Sequence, residues 1–323
     1  MTRWGIISTA RINRLLLAGA RASERVEVVA VASRGGARAE RYARTHGIER
    51  AHGSYESLLA DPDVEAVYIS LPNGLHVEWS IRALEAGKHV LCEKPLTRRA
   101  REAEEAFDAA DRAGRLLMEA FMYRHNPQTM RVKELVDGGA LGRLQLVRSA
   151  FSFTASDPQD VRLLEELDGG SLMDVGCYCV SASRLLAGEP ERVYGEQLLN
   201  AAGVDLRFAG TMRFPGGVVA QFDSGLVLPD RAELEAVGDE GSIFLADPWH
   251  CRKPVIQLRR GGHVEEIRLE PQDSYRLELE NLSDAIQDEA EPLLGRGDAV
   301  AQARAIEALY RSAEEGAPVS LFS

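Results

Sequence analysis

The first 120 residues alternate short apolar runs with stretches that have the length and spacing of helices. The apolar runs lie at 3–7, 26–32, 66–70, 89–92 and 115–119. Strands that alternate with helices in this way are typical of a parallel sheet with helices on both faces. The pattern therefore predicts a doubly wound α/β domain over residues 1–120.

From residue 143 the pattern changes to longer strands joined by glycine-containing turns. Strand-like segments lie at 144–153, 192–199, 205–213, 218–224, 232–238, 242–246, 254–260 and 263–269. The segments 214–217 and 260–262 have the composition of hairpin turns. Successive hairpins predict a second, α+β domain over residues 121–323, with a large open and mostly antiparallel sheet. Helices predicted at 275–287 and 298–315 are expected to pack back towards the first domain.

Such a sheet can be covered by helices on one face, which leaves the other face for a partner. Monomers seldom expose so large a face, so we expect a homodimer or homotetramer formed through the C-terminal sheet.

The charge balance limits the classes of partner. The 323 residues include 38 basic and 50 acidic side chains, which gives a net charge of −12. An acidic field disfavours nucleic acid and anionic membranes. No apolar run approaches the ~20 residues that a membrane span needs, and no signal peptide precedes the first strand. The sequence therefore predicts a cytoplasmic protein without a nucleic-acid or membrane partner.

The cysteines do not suggest a metal site. The four are Cys92, Cys177, Cys179 and Cys251. None forms a C-x-x-C pair, and no second half-site accompanies the pair at 177 and 179. We expect buried thiols and no metal.

The first strand-to-helix turn is a candidate phosphate site. In dinucleotide-binding folds this turn reads G-x-G-x-x-G and places a pyrophosphate at a helix N-terminus. Here Ser8, Ala10 and Asn13 occupy the three glycine positions. The first two are small enough for a phosphate to approach the backbone, although a plain strand–helix connection is the alternative. The candidate contacts are Ser8, Thr9, Ala10, Arg11 and Ile12.

The end of the second strand bears on the choice of cofactor. An Asp or Glu at this position would bind the ribose 2′-hydroxyl of NAD. Here Ser33 and Arg34 follow the strand, with Arg38 one helical turn later. A hydroxyl and guanidinium groups suit a 2′-phosphate. The sequence predicts NADP over NAD, unless Arg34 is only a solvated surface residue.

Two further segments follow strands at the same edge of the predicted sheet. They contribute the candidate cofactor contacts Leu71, Pro72, Asn73, His76, Glu93 and Lys94. Lys94 is one of only four lysines, at 88, 94, 133 and 253, in a chain that otherwise uses arginine. A lysine can lose its proton when desolvated, whereas an arginine cannot usefully do so. Lys94 is therefore a candidate for proton chemistry.

Three motifs resemble the glucose–fructose oxidoreductase/inositol dehydrogenase (Gfo/Idh/MocA) family. They are the segments 71–76 (L-P-N-G-L-H), 87–95 (G-K-H-V-L-C-E-K-P) and 169–178 (G-G-S-L-M-D-V-G-C-Y). The segments 119–127 and 160–162 are similar to the branch with NADP-dependent D-xylose 1-dehydrogenases and dimeric dihydrodiol dehydrogenases. The resemblance implies a Rossmann domain, a substrate-binding domain with a large open sheet, and a cis peptide before Pro95 that places Lys94 near the nicotinamide.

A predicted helix near 172–187 carries the other candidate catalytic residues. Asp174 and Tyr178 lie four residues apart, which places both on one helical face, expected to point into an interdomain cleft. With Lys94 and the family resemblance, we expect Tyr178 or Lys94 to take a proton from the substrate and Asp174 to orient it. The alternative is a capping aspartate and a core tyrosine.

Three more residues are candidate ligand contacts. Tyr123 is predicted to stack on a sugar, Arg124 to anchor sugar hydroxyls or the cofactor, and Arg162 to close over the cleft. For both arginines an interdomain salt bridge is the alternative.

These patterns predict an NADP-dependent oxidoreductase that acts on a hydroxyl of an aldose, such as xylose or glucose, or of a cyclic diol. One alternative is a non-catalytic NAD(P)-binding sensor or regulator of the same fold. The other is an inositol-type dehydrogenase, but those relatives place a histidine where Tyr178 stands.

Overall fold

The structure is a computed structural model that describes residues 1–157 and 159–321. The chain forms two compact units. The first unit comprises Met1–Thr97, Arg101–Met122 and Asp273–Val300, and the second comprises Arg98–Ala100, Tyr123–Gln272 and Ala301–Ser323. Residues 273–300, which the sequence analysis assigned to the second domain, thus belong to the first unit.

The first unit contains a six-stranded parallel sheet. Its strands are β1 (Thr2–Ile7), β2 (Val26–Ala32), β3 (Arg50–His52), β4 (Ala66–Ile69), β5 (His89–Glu93) and β6 (Leu117–Ala120). Their order is β3-β2-β1-β4-β5-β6, which is that of a doubly wound Rossmann sheet and confirms the predicted fold class. The short strand β3 was missed because Arg50-Ala51-His52 contains no apolar run.

The register of this sheet brings four strand ends into one row. Ala32, Ile7, Ile69 and Cys92 are neighbours across β2, β1, β4 and β5. The residues that follow them are Ser33, Ser8, Ser70 and Glu93. Strand order reverses between β1 and β4, and open α/β sheets bind ligands outside the carboxyl ends of strands at such a point.

Helices connect the strands of the first unit. They are α1 (Asn13–Arg21), α2 (Gly36–His46), α3 (Tyr55–Leu59), α4 (His76–Glu85) and α5 (Ala100–Ala113). In α5 the buried residues Ala103, Ala106, Phe107 and Ala110 recur with helical spacing and form its apolar face. The short helix α3, missed in the sequence, is capped by Ser54, whose side chain accepts from Ser57 N.

The remaining elements run from β7 to β15 and from α6 to α9. The strands are β7 (Leu144–Thr154), β8 (Arg192–Leu199), β9 (Asp205–Arg213), β10 (Val219–Gly225), β11 (Val227–Gly238), β12 (Gly241–Leu245), β13 (Val255–Arg260), β14 (His263–Arg268) and β15 (Val319–Ser320). The helices are α6 (Pro127–Asp137), α7 (Cys177–Ala187), α8 (Ser274–Ile286) and α9 (Arg296–Glu315).

These nine strands form the sheet of the second unit, in the order β14-β13-β12-β11-β7-β10-β9-β8-β15. All neighbours are antiparallel except β7 and β10, which are parallel. The predicted hairpin turns at 214–217 and 260–262 connect β9 to β10 and β13 to β14. The mostly antiparallel sheet is therefore confirmed.

The two faces of this sheet differ. Helix α7 packs against β7 and β10 on one face. The other face has a shallow concavity lined by polar and charged side chains, including Arg148, Gln221, Asp223 and Arg231. Arg231 binds Asp223 through two contacts of 2.6 and 2.9 Å. The open face is therefore polar and partly ion-paired.

The four cysteine side chains are buried and form no disulfide. Burial raises the pKa of Cys179 and of Cys251 to about 12, which makes both poor nucleophiles at neutral pH. Residues 1–157 and 159–321 contain no group of three or more His, Cys, Asp or Glu side chains that could hold a metal ion. In the same residues, no helix has both the length and the apolar character needed to cross a membrane.

Helix α8 places a carboxyl group in the interior of the first unit. Glu278 has no exposed surface, and neither carboxyl oxygen has a hydrogen-bond partner within the described part of the chain. Burial, followed by the charges of Glu93 and Asp273, raises the pKa of Glu278 well above its usual value. As pH rises past the unfolded-state pKa, the unfolded chain releases this proton before the folded chain does. Folding stability then falls.

Replacing Glu278 by methionine should stabilise the protein, increasingly so at higher pH. The change removes a titrating group and two unsatisfied oxygens, so we expect a gain of about 1–3 kcal/mol in the free energy of unfolding at about pH 8. The gain should shrink towards about pH 4, as measured by urea unfolding across this range. Glu280→Met, at a half-buried position of α8, is the matched control. A gain that is independent of pH would contradict the argument.

Candidate functional site

Side chains hold the turn after β1 in place of glycines. Ser8 has a φ of 129°, a region that glycine favours, and its Oγ lies 2.7 Å from Ser70 Oγ. Ser70 donates to Asn13 Oδ1 at 2.6 Å, and the Asn13 amide donates to Ser8 O at 3.1 Å. Ser8 Oγ also accepts from Ala10 N at 3.1 Å. Three side chains thus join the ends of β1 and β4 where strand order reverses.

This network contains residues that the sequence analysis did not single out. Asn13 was noted only as a substituted glycine position, and Ser70 only as the end of a strand. Both are buried, and a polar residue at the end of each of two adjacent strands was the available signal. The predicted contacts of residues 8–12 with a phosphate stay predictions.

One arginine of α2 reaches this turn. Arg38 Nε donates to Thr9 Oγ1 at 2.7 Å. Burial raises the pKa of Tyr55, and the charges of Arg34 and Arg38 oppose that rise. Ser33, at the end of β2, is buried. Two guanidinium groups close to a helix N-terminus form a donor set that suits a phosphate.

His76 holds two of the predicted segments together. It is 1% exposed, with Nδ1 2.9 Å from Pro95 O and Nε2 2.8 Å from Leu71 O. The ring therefore ties the segment that continues to Pro72 and Asn73 to the segment that contains Lys94. A direct contact between His76 and a cofactor stays a prediction.

Lys94 follows β5 at the row of strand ends described above. The peptide between Lys94 and Pro95 is cis, as the resemblance implied. Tyr68 donates a hydrogen bond to one carboxylate oxygen of Glu93, and Lys94 N lies 3.3 Å from the other. Lys88 differs, because its buried ammonium group donates to two backbone carbonyls and is structural.

In the second unit, aromatic rings surround Tyr178. Ring centroids of Tyr123, Phe151 and Trp249 lie 5.6, 5.4 and 5.8 Å from its centroid. Tyr178 is 7% exposed and Tyr123 only 1% exposed. The predicted stacking of a sugar on Tyr123 does not fit this burial, because the ring packs on Tyr178 and Trp249 instead. Phe151 and Trp249 were not predicted, and Trp249 gave no signal beyond its residue type.

Ser181 anchors two other candidates. Tyr123 OH donates to Ser181 Oγ at 2.8 Å, and Arg124 Nη1 donates to the same atom at 3.3 Å. The hydroxyl therefore fixes both side chains beside α7. Contacts of Arg124 with a substrate or cofactor stay predictions.

The local structure around Asp174 differs from the predicted one. Residues Leu172–Gly176 form a π-helical turn, and α7 begins only at Cys177. The π-helical turn runs directly into α7, so a helix near 172–187 is present, but its first turn is π-helical and not α-helical. The predicted joint action of Asp174 and Tyr178 on a substrate stays a prediction.

Arg162 pairs with Asp174 inside the second unit. Its Nε lies 2.9 Å from Asp174 Oδ2, and its Nη1 lies 3.1 Å from Asp160. The charge of Asp174 is the largest influence that raises the pKa of Arg162. These ion pairs lie within the second unit, so they are not the interdomain salt bridge that was considered as the alternative for Arg162. Its predicted closing over a substrate stays a prediction.

Two protein-family models match the chain. The model described as an oxidoreductase family with an NAD-binding Rossmann fold matches residues 2–121. The model of the GFO/IDH/MocA C-terminal domain matches residues 129–244.

Similar proteins match over most or nearly all of the chain. An NADP(+) D-xylose 1-dehydrogenase from Haloferax volcanii is 42% identical over 98% of this chain and 99% of its own. A trans-1,2-dihydrobenzene-1,2-diol dehydrogenase from Danio rerio is 34% identical over 81% of this chain and 79% of its own. The crystal structure of a 3-ketoreductase from Actinomadura kijaniata, in complex with NADP and TDP-benzene, superposes with a TM-score of 0.91 at 32% identity. That match covers 96% of this chain and 97% of the ketoreductase.

Proposed function

Because the chain belongs to the Gfo/Idh/MocA oxidoreductase family, we propose that it transfers hydride between NADP and a hydroxyl of a sugar or cyclic diol. An aldose such as xylose or glucose is the preferred substrate class, in keeping with the D-xylose dehydrogenase similarity. One observation carries the proposal. Lys94, a side chain able to exchange a proton, follows β5 at the sheet edge where β1 and β2 also end.

The first unit holds the cofactor in this proposal. The turn at residues 8–12 and the start of α1 face the phosphates, and Arg34 and Arg38 face the 2′-phosphate of NADP. The further contacts we propose in this unit are Ser33, Leu71, Pro72, Asn73, His76, Glu93 and Lys94. Arg124, of the second unit, is a further proposed contact. NAD, which lacks the 2′-phosphate, is the weaker alternative. The cofactor, when bound, supplies the hydride acceptor.

Three side chains of this chain, Tyr178, Lys94 and Asp174, act on the hydroxyl groups of the substrate in this proposal. Tyr178 or Lys94 accepts the proton from the hydroxyl oxygen that is oxidised, as a general base. Asp174, which is held by its ion pair with Arg162, accepts a hydrogen bond from a neighbouring hydroxyl and orients the substrate. The rings packed around Tyr178 limit its rotation, so the proton acceptor is pre-positioned.

The first test is NADPH formation by the purified protein over a panel of aldoses, inositols and cyclic diols, with NADP and NAD in parallel. We expect turnover with NADP on an aldose or diol. Lys94→Ala and Tyr178→Phe should each lower kcat by roughly 10²- to 10⁴-fold, because each removes a group that can move the proton.

Lys133→Ala is the matched control for the loss of a lysine. Lys133 pairs with Asp137 on the surface of α6, and its replacement should leave kcat unchanged. Tight NADP binding without turnover on any member of the panel would overturn the proposal in favour of a sensor. Turnover on inositols alone would favour an inositol-type enzyme.

Arg34→Ala and Arg38→Ala test the cofactor preference. Each change removes a charge-assisted contact to a 2′-phosphate, so the KM for NADP should rise by roughly 10- to 100-fold. The KM for NAD should change little, because NAD has no such phosphate. Steady-state kinetics with both cofactors measure the ratio of the KM for NADP to the KM for NAD. Arg41→Ala, on the same helix as Arg38, is the control, and an equal loss with both cofactors would contradict the assignment.

We also propose that the protein is cytoplasmic and assembles as a homodimer or homotetramer through the open face of the nine-stranded sheet. Sedimentation velocity should give at least twice the mass of one chain. Thr211→Arg, which places a cation on the open face, should shift the protein to monomer. Arg101→Glu on α5 should leave the assembly unchanged. A monomeric wild type at micromolar concentration would refute this assembly.

A further inference from the structure

A buried carboxylate holds the start of the segment that carries Asp174 and Tyr178. Asp205, the first residue of β9, is 2% exposed. Its Oδ2 accepts from Ser171 Oγ and from Leu172 N, each at 2.8 Å. Its Oδ1 accepts from Tyr310 OH at 2.9 Å. Three donors from two other elements therefore converge on one carboxylate.

The glycine before Ser171 makes room for this carboxylate. A Cβ at position 170 would lie 2.0 Å from Asp205 Oδ1 and 3.1 Å from Tyr310 Oη. Gly170 also has a φ of 130°, which side-chain-bearing residues rarely adopt. Gly170 and Ser171 of the motif at 169–178 therefore both lie against Asp205. The sequence analysis had recognised the motif but not its partner on β9.

The third donor is itself held in place. The guanidinium carbon of Arg98 lies 4.1 Å from the centroid of the Tyr310 ring, and Arg98 also lies 3.8 Å from Asp168. Burial raises the pKa of Tyr310 well above its usual value, so the phenol keeps the proton that it donates. Arg98, Tyr310 and Asp205 form a chain of contacts that ends on the backbone of Leu172.

We propose that Asp205 is a positioning residue that sets where Asp174 and Tyr178 stand during the reaction. Leu172 N, which it binds, begins the π-helical turn that contains Asp174 and leads into α7. Asp174 N bonds to Gly170 O at 2.9 Å, so a shift of residues 170–172 moves Asp174 directly. This inference rests on the proposed function, because the positions of Asp174 and Tyr178 affect turnover only if these two side chains act on a substrate.

Asp205→Asn is the principal test. The side chain keeps its shape but loses its charge, which weakens the charge-assisted hydrogen bonds from Ser171 Oγ and Leu172 N that hold the turn. We expect kcat to fall by roughly 10- to 100-fold, as for a displacement of about 1 Å at a catalytic group. The KM for NADP should stay within about twofold of the wild type, because the proposed phosphate contacts belong to the first unit. Tyr310→Phe, which removes one donor, should give a smaller loss of kcat.

Two controls separate positioning from general stability. Asp61 is a buried aspartate of the first unit that accepts from Arg50 and from Asp63 N. Ser312, on α9 with Tyr310, accepts from Gly195 N. Asp61→Asn and Ser312→Ala should lower the Tm without lowering kcat. If Asp205→Asn also lowers only the Tm, Asp205 is merely structural and the proposal is overturned.

Hydrogen exchange tests the same inference without turnover. The amides of residues 172–174 should exchange faster in Asp205→Asn than in the wild type, and should be unchanged in Asp61→Asn. If the exchange rates of these amides were the same in Asp205→Asn as in the wild type, the proposal that Asp205 restrains this turn would be refuted. If the wild type turns over no substrate, the proposed function fails, whereas the exchange data still report whether Asp205 holds this turn.

Discussion

The hydrogen bond between the hydroxyls of Ser8 and Ser70 joins β1 and β4 at the one point where the order of the parallel sheet reverses. The alignment of the proposed cofactor contacts in the first unit depends on this pairing. Because the strands are in register, the ends of β2 and β5 lie in the same row. Arg34 and Lys94 therefore follow strands that end at the same edge of the sheet. A shift of β4 by one residue would move Ser70 away from Ser8 and misalign β5 with it.

Much of the fold could be predicted because apolar runs and turn residues determine it locally. The strands of both sheets follow hydrophobic runs, and the glycines at 216 and 261 mark hairpin turns as expected. The exceptions are informative. Strand β3 has only three residues, and its pairing with β2 alone makes it a strand. The parallel pairing of β7 with β10 involves segments far apart in sequence, so no local pattern could indicate it.

The candidate site likewise contains some residues that could be predicted from the sequence and others that could not. Lys94 and its cis peptide could be predicted from a contiguous motif. The ring cluster around Tyr178 could not, because Phe151 and Trp249 come from separate segments that meet only in the folded chain. The π-helical turn at Asp174 was equally hidden, and the carboxylate bound at its start, Asp205, lies more than thirty residues away along the sequence. Functional residues that are close together in the sequence could be predicted from it, whereas those brought together only by tertiary contacts could not.

The turn after β1 has a consequence for how this sequence can change. In a glycine-based turn, each glycine can adopt its backbone conformation without hydrogen bonds from the side chains at the other positions. Here Ser8, Asn13 and Ser70 satisfy one another's hydrogen bonds, so the loss of one leaves a buried polar group on another. Substitutions at the three positions should therefore be strongly non-additive. Among related chains these positions should covary as a set, and glycine at position 8 should be accompanied by changes at the other two.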